Sequence, residues 1–260
     1  MLSKINAHPR DSNIHFDEGP HVYTVMGKKN NISVTTMVHN SFPHFDSDKV
    51  SDTIVNNKKK MSDPTYKYFG YTKEQIEAEW KANGEKSSSA GTKMHADIEY
   101  FYNGLPVDNS SPEYALFQQF VKDYPELQAY RTEWTVYYEE IHLAGSIDMV
   151  FYNTITKQHE IYDWKRVLNI EYEPFKKTDV GYAPLDDVPN TNFWHYTLQL
   201  NIYKKILEEK YGLTIGKLFL VVLHPDNVYK TYLKLEVPDF QEKVQLLFEH
   251  RKQQLVEENV

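Results

Sequence analysis

The feature that most constrains this chain is a pair of apolar segments, each carrying a carboxylate, joined by a short polar turn. Ala144-Gly145-Ser146-Ile147-Asp148-Met149-Val150-Phe151-Tyr152 runs into a turn over 153–157, and His159-Glu160-Ile161-Tyr162-Asp163-Trp164-Lys165 follows. Alternating β-branched and aromatic residues on both sides of a turn predict an antiparallel hairpin. With the turn centred between Ile155 and Thr156, Asp148 opposes Asp163 and Ser146 opposes Lys165. Opposed side chains have Cβ atoms about 5 Å apart. Alternation along the strand puts Asp163 and Lys165 on one face and Trp164 on the other.

Two opposed carboxylates on apolar strands repel each other and resist burial, so something must compensate them. Lys165 alone would give a structural ion-pair cluster. A divalent cation held by both carboxylates would compensate better. Mg²⁺ takes one or two carboxylates, keeps several waters and accepts phosphate oxygens as further ligands. Such a cation permits attack of water on phosphorus, and a neighbouring lysine can orient that water or offset developing charge. Both readings stay open on the hairpin alone.

The surrounding pattern predicts an α/β fold, a mixed central β-sheet flanked by helices. Strands are expected over 21–25, 31–34, 130–139, 143–152, 159–165, 218–224 and 229–237. The 31–34 segment reads as the return strand of the one before it, and Ser33 or Thr35 as a cap for a helix through Val38. Thr72-Lys73-Glu74-Gln75 is a capping-box pattern for a helix over 72–82, and Ser87-Ser88-Ser89 marks the start of another over 90–102. Further helices are expected over 112–123, over 194–210 and from Pro238 onward. Residues 1–20 read as a loose arm. The long segment 166–190, with three prolines, has the length of a functional loop.

Composition excludes several classes. There is no cysteine, hence no disulfide framework, thiolate metal site or cysteine nucleophile, which fits an intracellular, reducing compartment. No run of 18 apolar residues suits a membrane span. The net charge of −8 argues against a general nucleic-acid coat and confines any DNA contact to a local basic groove. No phosphate-binding loop, nucleophile elbow or His-Glu-x-x-His helix is present. Frequent Lys, Asn, Ile and Tyr fit an AT-rich genome, and with it a viral or phage protein acting in a host cell.

Taken together, these motifs resemble the PD-(D/E)XK nucleases, and within them the RecB-like exonuclease branch with mitochondrial and viral members. Gly91-Thr92-Lys93-Met94-His95 resembles the Gly-x-x-x-His helix, Gly145-Ser146-Ile147-Asp148 the Gly-x-x-Asp strand, and Asp163-Trp164-Lys165 the Asp-x-Lys strand. Gln199-Leu200-Asn201-Ile202-Tyr203 resembles the Gln-x-x-x-Tyr helix; Val22-Tyr23 and Ser33-Val34-Thr35 resemble the opening hairpin. The resemblance covers most of residues 21–250.

The resemblance implies a restriction-endonuclease-like core in a single nuclease domain over 21–260, with a helical lobe over about 35–125 and a catalytic core over about 130–260. It implies that His95, Asp148 and Asp163 are metal ligands, with the Trp164 carbonyl as a fourth, for Mg²⁺ or Mn²⁺. Lys165 handles the water, and Gln199 and Tyr203, on one helix face, hold the scissile strand or the catalytic groups. Glu99 and Glu133 are candidates for the surrounding shell or a second metal. Ser33, Thr35, Lys176, Lys177, Tyr196 and Lys204 are candidate nucleic-acid contacts. The expected activity is metal-dependent hydrolysis of DNA, foremost by an exonuclease on single-stranded ends in replication, recombination or repair. A structure-specific or RNA-directed endonuclease and a non-catalytic binding subunit are the alternatives.

Overall fold

The computed structural model describes residues 1–258. The chain divides into two compact units, Met1–Pro43 with Met94–Val260, and His44–Lys93. Where the sequence predicts one domain from residue 21, the fifty residues His44–Lys93 cluster on their own and the first twenty residues belong to the larger unit.

Those first residues are not a loose arm. They form α1 (Leu2–Ile5), a 3₁₀ turn (Pro9–Asn13) and β1 (Ile14–Asp17). Charged groups fasten them to the sheet. Arg131 Nη1 lies 2.8 Å from Asp11 Oδ2, Trp134 Nε1 donates to Asp11 Oδ1 at 2.9 Å, and Arg10 pairs with Glu139 at 2.6 Å. β1 pairs antiparallel with β2 (Val22–Val25) in a sheet of its own. The expected return strand is thus not β2's partner: β3 (Ile32–Ser33) instead joins the main sheet, parallel to β5. It leads into α2 (Val34–Asn40), capped by Ser33, whose hydroxyl accepts the Thr36 N–H at 3.0 Å.

The main sheet contains β3, β4 (Leu127–Tyr138), β5 (Leu143–Asn153), β6 (Gln158–Lys165), β7 (Ile215–Val222) and β8 (Leu233–Glu236). β4–β5–β6 form an antiparallel meander, β7 returns parallel to β6 after α7 (Asn192–Tyr211), and β8 closes the edge antiparallel. The β5–β6 register is the predicted one, with Met149 opposite Tyr162 and Val150 opposite Ile161. The ladder ends at Met149–Tyr162, so Ser146 does not pair with Lys165 as expected; Ser146 pairs with Thr135 on β4 instead.

Both faces of this sheet are covered. One packs Trp134, Val136, Ile147, Val150, Ile161 and Leu220 against α2, α7 and α8 (Gln241–Glu258). The other packs Met149, Phe151, Tyr162, Trp164 and Val221 against α6 (Pro112–Asp123) and against Met94 and Ile98. Strands buried on both faces explain the near-continuous apolar runs in β5, β6 and β7.

The smaller unit holds α3 (Ser47–Val55), α4 (Lys58–Met61) and the first part of α5 (Lys73–Tyr102), whose residues from Met94 on belong to the larger unit. The capping box at Thr72 and Gln75 forms: the Thr72 N–H donates to Gln75 Oε1 at 2.8 Å and the Gln75 N–H to Thr72 Oγ1 at 3.3 Å. Two helices were expected here, and one continuous helix spans both. Ser87–Ser89 do not restart it. A serine costs little inside a helix once each added residue contributes a hydrogen bond, and the Thr92 hydroxyl donates back to the Ser88 carbonyl at 3.1 Å. Among the described residues, no helix is long and apolar enough to cross a membrane.

Candidate metal centre and adjoining cleft

β5 is flanked by β4 along its length, while its other edge is shared by β6 from Met149 onward and β3 at Leu143–Ala144. Residues 145–148 lie in the gap, where the strands splay. Side-chain alternation also breaks there: Ile147 and Met149, two residues apart, pack in different core clusters. Across on β4, Glu133 holds φ at +42°, a left-handed conformation that a non-glycine residue adopts only at a cost of order 1–3 kcal/mol.

The splayed region gathers three ligand-type side chains. His95, Glu133 and Asp148 each offer an atom, and these atoms lie within 4.8 Å of one another. His95 Nδ1 is 3.5 Å from Asp148 Oδ2 and 3.6 Å from Glu133 Oε1. Its other ring nitrogen, Nε2, faces the Trp164 carbonyl at 2.9 Å, which fixes the ring's orientation. Met94 and Ile98, buried on either side of His95, fix the helix that carries it. Asp148 Oδ2 accepts the Trp164 N–H at 2.9 Å, and Glu133 Oε2 accepts the Ser146 hydroxyl at 3.1 Å. Two carboxylates and one imidazole fit a hard divalent cation, Mn²⁺ as readily as Mg²⁺.

Beside this cluster sits an ion pair. Lys165 Nζ lies 2.7 Å from Asp163 Oδ2, and Gln199 Nε2 donates to Asp163 Oδ1 at 3.4 Å. Lys165 Nζ also lies 4.6 Å from the centre of the Tyr196 ring. Asp163 engages Lys165 and α7 beside the ligand-type cluster, whose third member is Glu133. The signal for Glu133 was its place on the preceding strand, where the β4–β5 register sets it across from Asp148.

Electrostatics follow from this crowding. Burial opposes charge on His95, but the Asp148 and Glu133 carboxylates outweigh it and push its pKa up to about 9. Burial raises Asp163 to about 6 against the pull of Lys165, and raises Asp148 against the pull of His95. Burial works against the Lys165 ammonium too, yet Asp163 and Asp148 hold its pKa above the usual lysine range. Glu99 is raised by burial and then by the charges of Glu133 and Glu18.

Tyr203 is buried against β5. A Cβ on Gly145 would meet Tyr203 Cε1 and its hydroxyl at 2.8 Å, so the glycine and the tyrosine of two separate motifs fit together as one contact. An open cleft of about 370 Å³ begins at Gln199 and Tyr196 and is lined by Thr35, Thr36, His39 and His195. Thr36, His39 and His195 were not singled out in the sequence, since no local pattern brings α2 to the first turn of α7. His195 packs on Phe42 and bonds Asn190 at 2.9 Å. Among the other predicted contacts, Ser33 is occupied as a helix cap and Lys204 pairs with Asp239 at 3.4 Å. Lys176 and Lys177 are exposed on the loop after β6.

No protein-family model matches the chain, and no curated protein matches it either. Among solved structures, the chain is similar to the crystal structure of SSO0001 at 14% identity and a TM-score of 0.33, over 86% of this chain and 76% of that one.

Proposed function

We propose that this chain is a Mg²⁺- or Mn²⁺-dependent deoxyribonuclease, an exonuclease acting on single-stranded DNA ends. The observation that carries this reading is one juxtaposition: His95, Glu133 and Asp148 converge beside the Lys165–Asp163 pair, next to a cleft that begins at Gln199. A binding module has no need for that set. The motif resemblance to PD-(D/E)XK nucleases supports the same reading, with β4, β5, β6, α7 and β7 as a restriction-endonuclease-like core. An intracellular protein of viral or phage origin remains part of the proposal.

In this reading His95, Glu133 and Asp148 hold the cation, and the Trp164 N–H keeps the Asp148 carboxylate in place. When bound, a divalent cation supplies Lewis-acid polarisation of the phosphodiester. The Lys165 ammonium orients the attacking water by donating to it and offsets the negative charge that grows on the phosphoryl oxygens. Asp163 and the Tyr196 ring hold Lys165, and Gln199 ties α7 to Asp163. The cleft lined by Thr35, Thr36 and His39 receives the strand.

The test is cleavage of end-labelled single-stranded DNA with Mg²⁺, Mn²⁺ or EDTA, comparing wild type with Lys165→Ala. Metal-dependent products from wild type alone support the reading, and their ladder gives the polarity. Cutting of a circular single strand would make the enzyme an endonuclease. Absence of products on DNA and RNA, single- or double-stranded, would leave a non-catalytic binding protein.

A further inference from the structure

None of the Phe, Tyr or Trp rings of the unit His44–Lys93 is fully buried: Phe45, Phe69 and Tyr71 are exposed, and Tyr66, Tyr68 and Trp80 half-buried. Among its fifty described residues only Ser51 and Ile76 are buried. Five of these rings form one connected set. Phe45 lies 5.7 Å from Trp80, Trp80 lies 6.3 Å from Tyr68, and Tyr68 lies 5.8 Å from Tyr66 and 6.1 Å from Tyr71. Trp80 Nε1 donates to the Tyr68 hydroxyl at 2.8 Å, which locks the centre of the set. Its ends are open to solvent: Phe45 is 70% exposed and Tyr71 40%.

Charge accompanies the rings. Lys60 Nζ is 5.6 Å from the Tyr66 ring and Lys67 Nζ 4.7 Å from the Tyr68 ring. The unit carries nine lysines against eight aspartates and glutamates, in a chain whose net charge is −8. Three of those acids are paired with two of the lysines, Lys73 with Asp48 and Asp52 at 2.6 and 2.8 Å and Lys67 with Glu79 at 3.0 Å, which leaves seven lysines against five acids. The exposed run Lys58-Lys59-Lys60 leaves its positive charge beside the rings. A connected set of rings with exposed ends, edged by lysines, is a surface that stacks bases while neutralising their phosphates, whatever the sequence. A protein partner of apolar surface would use the rings but gain nothing from three adjacent lysines.

We propose that this face of the His44–Lys93 unit binds single-stranded DNA, with Phe45 and Tyr71 stacking on bases and Lys58, Lys59 and Lys60 meeting the backbone. The choice of DNA over RNA rests on the nuclease reading; the stacking and charge do not.

The experiment is fluorescence anisotropy of a labelled thirty-base oligo-dT with the full chain in EDTA, so that binding is read without cleavage. Phe45→Ala with Tyr71→Ala should weaken binding by about tenfold or more, since two base-stacking rings are lost. Phe45→Leu with Tyr71→Leu keeps the apolar volume and should lose the same affinity, and Tyr71→Trp should retain it. Replacing Lys58, Lys59 and Lys60 by Gln should weaken binding and flatten its log–log salt dependence by about two. An abasic strand of equal length should bind more weakly than oligo-dT. Three results would each overturn the proposal: no binding by the wild type, unchanged affinity in the ring variants, or equal affinity for the abasic strand. Oligo-U bound tightly in place of oligo-dT would overturn the choice of DNA. Cleavage with unchanged ring-variant affinity removes only this inference; ring-dependent binding without cleavage removes only the nuclease reading.

Discussion

Lys165 and Asp163 depend on each other. Asp163 is buried and Lys165 half-buried, and each charge finds its main compensation in the other, at 2.7 Å. Removing one partner of a buried pair destabilises because the survivor is left without its counter-charge, whereas removing both is often neutral. Lys165→Ala should therefore lower the thermal midpoint and abolish cleavage. Lys165→Ala with Asp163→Asn should recover the midpoint but not the activity. Recovered activity in the double variant would remove Lys165 from the chemistry. His195 makes a separate prediction about pH. Burial, and then the like charge of His39, lowers its pKa from the ordinary 6.5 to about 4, with Asp179 opposing. A depressed histidine binds its proton more readily when unfolded, so its contribution is present above pH 6.5 and is lost as pH falls through 4. Guanidinium unfolding across pH 7.5 to 4 should lose stability less steeply in His195→Gln than in wild type. Parallel curves would show that His195 is not a group that acid acts on.

Elements meet at the site because of particular close approaches. The β5–α7 contact at Gly145 and Tyr203 leaves no room for a methyl group, with Val34 Cγ2 also 3.0 Å from the position a Cβ would take. Forcing one in overpacks a buried contact, at a cost of about 1–3 kcal/mol. Gly145→Ala should destabilise the chain by that amount in urea titrations, and activity should fall with it because α7 carries Gln199. An unchanged midpoint would mean that α7 moves away freely. Ser33 shows how an element can absorb a candidate contact: its hydroxyl already accepts the Thr36 N–H, while Thr35, one residue beyond Val34, lines the cleft. The capping box at Thr72 was legible because its partners are three residues apart; the continuity of α5 was not, because serine and glycine weaken a helix locally without ending it.

At the scale of the molecule, the amino-terminal segment is part of the sheet's support. Arg131 is buried, and Asp11 compensates its charge while also accepting from Trp134 and from the His8 N–H at 2.9 Å. Asp11→Ala should cost toward the lower end of the roughly 3–5 kcal/mol expected for breaking a buried pair, because Asp11 itself is partly exposed. Urea unfolding measures this, and a change under about 0.5 kcal/mol would return these residues to the status of a loose arm. The charge contrast between the His44–Lys93 unit and the rest of the chain is likewise a property of the whole: a polyanion is repelled on average and admitted only locally.

The sequence by itself determined most of the main-sheet strands and the register of the β5–β6 hairpin. Apolar alternation, turn residues and caps act over a few positions, and the β5–β6 pairing follows from a short turn that leaves no other register burying the same faces. It also named His95, Asp148, Asp163, Lys165 and Gln199, which the fold brings to one neighbourhood. Only the tertiary structure decided which of them share a cluster. The ladder's early end at Met149, the left-handed φ at Glu133 and the Lys165–Asp163 pair leave Glu133 as the third member of the cluster with His95 and Asp148. The contacts that assemble the cluster, such as His95 with the Trp164 carbonyl and Asp148 with the Trp164 N–H, join residues 69 and 16 positions apart, set by packing and burial that no local pattern encodes.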